Sequence, residues 1–126
     1  MMPVQKLRVL VIDDEPQVAD SLAKILDLFG YQATSVYSPT QAIELINTQP
    51  CDILIADVVM EGHPSGIDLA IQFASLLPEC KVLLISGNNS TVELLRAAQE
   101  HGYTFEVLAK PVHPNVILQR LKTMMD

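Results

Sequence analysis

The chain has 126 residues, enough for one domain that buries its own core without disulfides or metals, since single domains cluster at about 100–150 residues. Its hydrophobic fraction of 49% excludes an intrinsically disordered chain, and no apolar run approaches the roughly 20 residues that span a bilayer. Fifteen acidic against eight basic residues give a formal net charge of −7, which repels phosphate backbones and anionic lipid heads and argues against nucleic acid or membrane as a direct partner.

Residues 1–126 show no repeat, low-complexity tract or linker, so a single domain is expected. The opening Met1-Met2-Pro3-Val4-Gln5-Lys6 lacks the apolar core of a signal peptide, which points to the cytoplasm. Short apolar runs, predicted as strands, cover residues 8–12, 33–37, 52–56, 81–85 and 105–109. Several are almost continuously apolar, as strands covered on both faces are. Between the first two, Val18, Ala19, Leu22, Ile25, Leu26 and Phe29 recur on one helical face, with Pro16 in the first turn and Gly30 as a left-handed stop. The second helix opens on Ser38 as N-cap, Pro39, and Gln41 completing a capping box, and runs to Pro50. The third covers 67–77 and is closed by Pro78. The fourth covers 91–100, with Ser90 as cap and Val92, Leu95, Ala98 and Ala97 as inward candidates. The last follows Pro114 and turns Val116, Ile117, Leu118 and Leu121 inward, ending on Met124 and Met125 as a frayed tail or else a partner surface.

Five βα units imply an α/β fold: a five-stranded parallel sheet of order 2-1-3-4-5, doubly wound and flavodoxin-like, with too few strands to close an eightfold barrel. Ligands of such sheets bind beyond the carboxyl ends of the strands, where the strand order reverses. Asp13 and Asp14 follow strand one, Asp57 strand three, Ser86-Gly87 strand four and Lys110-Pro111 strand five. Taken singly, each has an ordinary explanation, such as helix capping by Asp13 or Asp14; their coincidence at four of five strand ends does not. Two like charges about 4 Å apart cost on the order of 4 kcal/mol at an effective dielectric near 20, so three aspartates call for a cation. A hard, oxygen-preferring ion such as Mg²⁺ suits them, and carboxylates, lysine and hydroxyl together can receive and stabilise a phosphoryl group.

Val9-Leu10-Val11-Ile12-Asp13-Asp14-Glu15-Pro16, Leu54-Ile55-Ala56-Asp57-Val58-Val59-Met60, Leu84-Ile85-Ser86-Gly87 and Ala109-Lys110-Pro111 together resemble the receiver domain of two-component response regulators, over essentially the whole chain. The resemblance implies that Asp57 accepts a phosphoryl group from a sensor histidine kinase or phosphotransfer protein. It implies that Asp13, Asp14, Asp57 and the backbone carbonyl of Val59 hold Mg²⁺, and that Ser86 and Lys110 bind the phosphoryl oxygens. It further implies a cis Lys110–Pro111 bond, an altered surface on helix four, strand five and helix five, and a downstream protein target. Phosphorylation-dependent homodimerisation is compatible with it.

The sequence departs from that family at three places. Val107 stands where an aromatic residue is usual, leaving Phe105, two residues earlier, either as its substitute or as a sign that the aromatic coupling is absent. The stretch Glu61-Gly62-His63-Pro64-Ser65-Gly66 lacks the usual proline and is one residue longer, and His63 reads as a solvated loop residue. Val59 and Asn88 occupy positions that tune hydrolysis, and an apolar Val59 cannot orient a water, so slow self-dephosphorylation is expected.

The competing functions are weaker. An aspartyl-phosphate phosphatase would place a second aspartate at Val59, and an FMN carrier would not put an acidic pair beside its phosphate. The chain is therefore expected to catalyse nothing beyond its own phosphorylation and dephosphorylation. His101 reads as a helix-end residue and His113 as a turn or cap residue. Cys51 and Cys80 lack any paired-ligand spacing and read as small, partly buried residues.

Overall fold

The computed structural model describes residues 6–60, 66–87 and 91–125. In chain order it contains β1 (Arg8–Ile12), α1 (Pro16–Leu28), β2 (Gln32–Val36), α2 (Pro39–Ile46), β3 (Ile53–Asp57), α3 (Gly66–Leu76), β4 (Lys81–Ser86), α4 (Thr91–Glu100), β5 (Glu106–Ala109) and α5 (Pro114–Met125). The strands form one parallel sheet in the order β2-β1-β3-β4-β5, as the alternation of elements predicts.

Strand parity builds the two layers, because successive side chains leave a strand on opposite faces. Leu10 and Ile12 of β1, Leu54 and Ala56 of β3, and Val82 and Leu84 of β4 pack under α2, α3 and α4 around Phe73. Their neighbours Val9 and Val11, Ile53 and Ile55, and Leu83 and Ile85 pack under α1 and α5 with Leu26, Ile117 and Leu121. Phe73, Leu26 and Leu121 are wholly buried, and each such side chain stabilises the fold by about 1.5–3 kcal/mol.

Where the elements differ from the pattern reading, a hydrogen bond or the geometry of a helix end explains it. The β2 strand begins at Gln32, whose N–H bonds Leu7 O at 2.9 Å, and β3 begins at Ile53, after Asp52 has turned its carboxylate to the Arg8 N–H at 2.8 Å. The capping box of α2 closes one residue early. Ser38 Oγ accepts the Gln41 N–H at 3.2 Å, while Gln41 Oε1 takes the N–H of Tyr37, not of Ser38. Phe29 is 63% exposed because it lies past the last turn of α1, whose chain reverses at Gly30 with φ +98°. Val18, at 46%, lines a groove beside α5 instead of entering the core, and Val116, at 44%, is also outward. On α4 Ala98 is buried and Leu95 half-buried, whereas Ala97 is exposed; the Ser90 cap lies outside the described residues. Met124 and Met125 are not a frayed tail: both lie within α5, half-buried against the second layer. Among the described residues no helix is long and apolar enough to cross a membrane.

Candidate functional site

The parallel sheet delivers its strand ends to one rim. Asp57 is the last residue of β3, paired with Ile85, and Ser86 is the last of β4, paired with Ala109. Asp13 and Asp14 follow β1, and Lys110 follows β5, its N–H bonded to Ser86 O at 2.8 Å. The residues predicted from the sequence are thereby brought together. Lys110 Nζ donates to Asp57 Oδ2 at 2.6 Å, and the other oxygen, Oδ1, accepts the Val59 N–H at 3.2 Å. One carboxylate oxygen from each of Asp13, Asp14 and Asp57 lies within 4.8 Å of the others. The Lys110–Pro111 bond is cis.

Asp13, Asp57 and Ser86 are all under a tenth exposed, an unusual burial for such residues. At 4.8 Å and an effective dielectric near 20, each pair of charges repels by about 3.5 kcal/mol. Burial, first, and the carboxylates of Asp57 and Asp14 raise the pKa of Asp13 above its usual value, outweighing the Glu15 N–H and the Lys110 charge that oppose them. For Lys110, burial works against the ammonium. The hydrogen bond and charge of Asp57, then the charges of Asp13 and Glu15, outweigh burial and hold its pKa above the ordinary lysine range. Among the described residues the site is thus an anionic cup with one internal cation, Lys110. Asp13 is not the helix cap that its position also allowed: its Oδ1 accepts the Glu15 N–H at 3.0 Å, one residue ahead of α1, and Glu15 itself is the N-cap.

Two features escape sequence reasoning. Gly66, the first residue of α3, donates its N–H to Val58 O at 2.8 Å, and a Cβ there would lie 2.2 Å from the carbonyl oxygen of Asp57. This glycine brings the helix directly against the strand end that carries Asp57; a glycine where a helix cap is usual is the one sequence sign of it. The second is a groove of about 870 Å³ that opens from Asp13, Asp57 and Lys110 along Val18, Leu22 and Ile25 of α1 towards Ile117 of α5.

A family model described as the response regulator receiver domain matches residues 9–122. The chain belongs to the receiver domain family of two-component response regulators. The response regulator receiver protein CpdR of Brucella abortus (strain 2308) is 26% identical over 118 residues, covering 94% of this chain and 96% of CpdR. The response regulator MprA of Mycobacterium ulcerans (strain Agy99) is 27% identical over 119 residues, and there the chain spans only 50% of the relative's length. In structure, the receiver domain resembles a CheY-like receiver domain protein from Methanospirillum hungatei JF-1, with a TM-score of 0.86 over 97% of this chain and 95% of that one at 23% identity. Such domains are signalling switches rather than classical enzymes, and the membership implies a histidine kinase or phosphotransfer partner. The phosphatase alternative finds no support.

The family departures fall in different places. Phe105 precedes β5, stacked on Tyr103 with ring centroids 6.2 Å apart. It lies four residue steps, about 13 Å along the chain, from Ala109 beside Ser86, and packs against the same layer as Val107. Val59 is half-exposed beside Asp57. Glu61, His63 and Asn88 lie outside the described residues. His113 is a helix-start residue, its Nδ1 accepting the Asn115 N–H at 3.1 Å, and exposed His101 follows α4.

Proposed function

We propose that residues 1–126 act as one phospho-accepting receiver domain whose acceptor is Asp57. The observation that carries this is the Asp57 carboxylate, buried at a strand end, bonded to Lys110 at 2.6 Å and grouped with two further aspartates. An Asp57 oxygen attacks the phosphorus of a phosphohistidine on a sensor histidine kinase or phosphotransfer protein. The O–P bond forms, the P–N bond breaks, and the histidine nitrogen leaves with the electron pair. Lys110 keeps a positive charge beside the new acyl phosphate, and the Ser86 hydroxyl donates to a phosphoryl oxygen.

The donor set fits Mg²⁺: three hard carboxylates converge within 4.8 Å, close enough for one ion with only small side-chain adjustment. Asp13, Asp14, Asp57 and the Val59 carbonyl would hold it, and when bound it neutralises charge on the transferred phosphoryl group. The added ~1.5–2 negative charges draw Ser86 and Lys110 inward and bias the face of α4, β5 and α5 towards a downstream protein, or towards a second copy of the chain. The activity is limited to the domain's own phosphorylation and slow dephosphorylation, in the cytoplasm.

Acetyl phosphate with Mg²⁺ provides the test. A single phosphoryl adduct by intact-mass spectrometry, absent from Asp57→Asn, is the expected result; an adduct retained by that variant overturns the assignment.

A further inference from the structure

The far end of the same two strands carries a second pair of reactive groups. Cys51 lies two residues before β3 and Cys80 immediately before β4, so both sit at the amino ends of the strands whose carboxyl ends carry Asp57 and Ser86. Although 29 positions apart in sequence, their sulfurs are 3.6 Å from each other, in thiol–thiol hydrogen-bond contact. The strand register holds them there. Ile53 pairs with Lys81, the Lys81 N–H bonds Asp52 O at 2.9 Å, and Asp52 is tied in turn to Arg8 on β1. Neither thiol is sealed in: both residues are half-buried, and Cys80 opens on a groove of about 410 Å³ that Tyr103 and Phe105 also line. They are the only cysteines of the chain.

We propose that Cys51 and Cys80 are a redox modification site, oxidised by hydrogen peroxide to an intramolecular disulfide that joins the starts of β3 and β4. A disulfide sulfur–sulfur distance is about 2.05 Å, so closure asks each sulfur to move by about 0.8 Å. The thiolate of Cys51 attacks one peroxide oxygen; an S–O bond forms, the O–O bond breaks, and hydroxide leaves to recombine with the proton that Cys51 had released. Cys80 then attacks the Cys51 sulfur; the S–S bond forms, the S–O bond breaks, and hydroxide departs with the Cys80 proton. Two thiols are oxidised and one peroxide is reduced to two waters. The roles follow from the shared proton. With Cys80 donating the shared hydrogen bond the pKa of Cys51 is lowered, while that same bond, burial and the charges of Cys51 and Asp52 raise the pKa of Cys80; in that arrangement Cys51 attacks and Cys80 resolves, and the exchanged arrangement gives the same disulfide. This chemistry is independent of Asp57.

The experiment treats the reduced, full chain with hydrogen peroxide and counts alkylatable thiols. The expected result is loss of both thiols together, a mass lower by two hydrogens on a monomer, a Cys51–Cys80 crosslinked peptide, and full reversal by dithiothreitol. Cys51→Ser and Cys80→Ser should each abolish the crosslink, leaving an oxygen adduct on the surviving sulfur. Two thiols that remain alkylatable, that gain oxygens separately, or that crosslink only between chains would overturn the proposal. Acetyl phosphate labelling of the same samples verifies that each variant is folded.

Discussion

Gly66→Ala isolates the close approach between α3 and the strand end that carries Asp57. The added methyl would sit 2.2 Å from Asp57 O, 2.9 Å from its carbonyl carbon and 3.1 Å from Val58 Cα. All three obstacles are main-chain atoms, so no side chain can swing away. Restoring an ordinary contact of about 3.4 Å requires helix and strand to separate by about 1 Å, which also stretches the 2.8 Å bond from Gly66 N–H to Val58 O. Overpacking costs about 1–3 kcal/mol, and a rigid backbone neighbour places this case near about 3 kcal/mol. An unfolding entropy of about 2.1 cal/mol/K per residue makes each kcal/mol worth about 4 °C for a chain of 126 residues, so Tm should fall by about 11 °C. Calorimetry measures the fall, and acetyl phosphate labelling should slow in parallel because Asp57 moves with its strand. Gly87→Ala is the control: the nearest atoms its methyl would meet are those of the Lys110 stem, no closer than 3.4 Å, and it should change stability by less than about 0.5 kcal/mol. If Gly66→Ala melted within about 3 °C of the parent and labelled equally fast, helix contact would not be what positions the acceptor.

Replacing Lys110 by Met removes the cup's internal cation, so magnesium should bind several-fold more tightly, by calorimetric titration, while phosphoryl uptake slows; weaker magnesium binding would contradict the charge assignment. For Asp13→Asn the sign follows from its raised pKa: the folded state holds the proton more tightly than the unfolded one, so ionised Asp13 costs stability at neutral pH and the cost vanishes as pH falls through that pKa. Without magnesium the variant should resist urea better than the parent at pH 7, and the gain should shrink on acidification; a loss of stability at neutral pH would refute this. Val59→Asn puts an amide beside Asp57 without disturbing the main-chain N–H that bonds it, and should accelerate loss of the phosphoryl group in a time course of intact masses. An unchanged or slower loss would show that position 59 does not govern hydrolysis.

Most of the rim was legible in the primary structure because charged and hydroxyl residues interrupt apolar runs at Asp13, Asp57, Ser86 and Lys110, and parallel topology forces such interruptions to one edge. Strand limits were less legible, since Gln32 and Asp52 are placed by bonds to Leu7, just ahead of β1, and to Arg8, its first residue, which no local pattern encodes. Helix edges misled in the same way. Val18 keeps the period of α1 yet borders a groove, because the width of the buried stripe depends on how near α5 packs. Gly66 and the Cys51–Cys80 pair were invisible for a common reason: each matters through an approach between segments whose distance in space has no imprint on composition or period.

Both oxygens of the Asp57 carboxylate are held, one by the Val59 main chain and the other by Lys110, so the plane of the group is set before any donor arrives. Under the acceptor role proposed for Asp57, the orientational entropy that a free carboxylate would lose on reaction is lost once, at folding, and each transfer would start from an aligned nucleophile. The recipient, not the donor, would then carry the geometric demands of the reaction, and even a donor as small as acetyl phosphate would need no protein scaffold to present it.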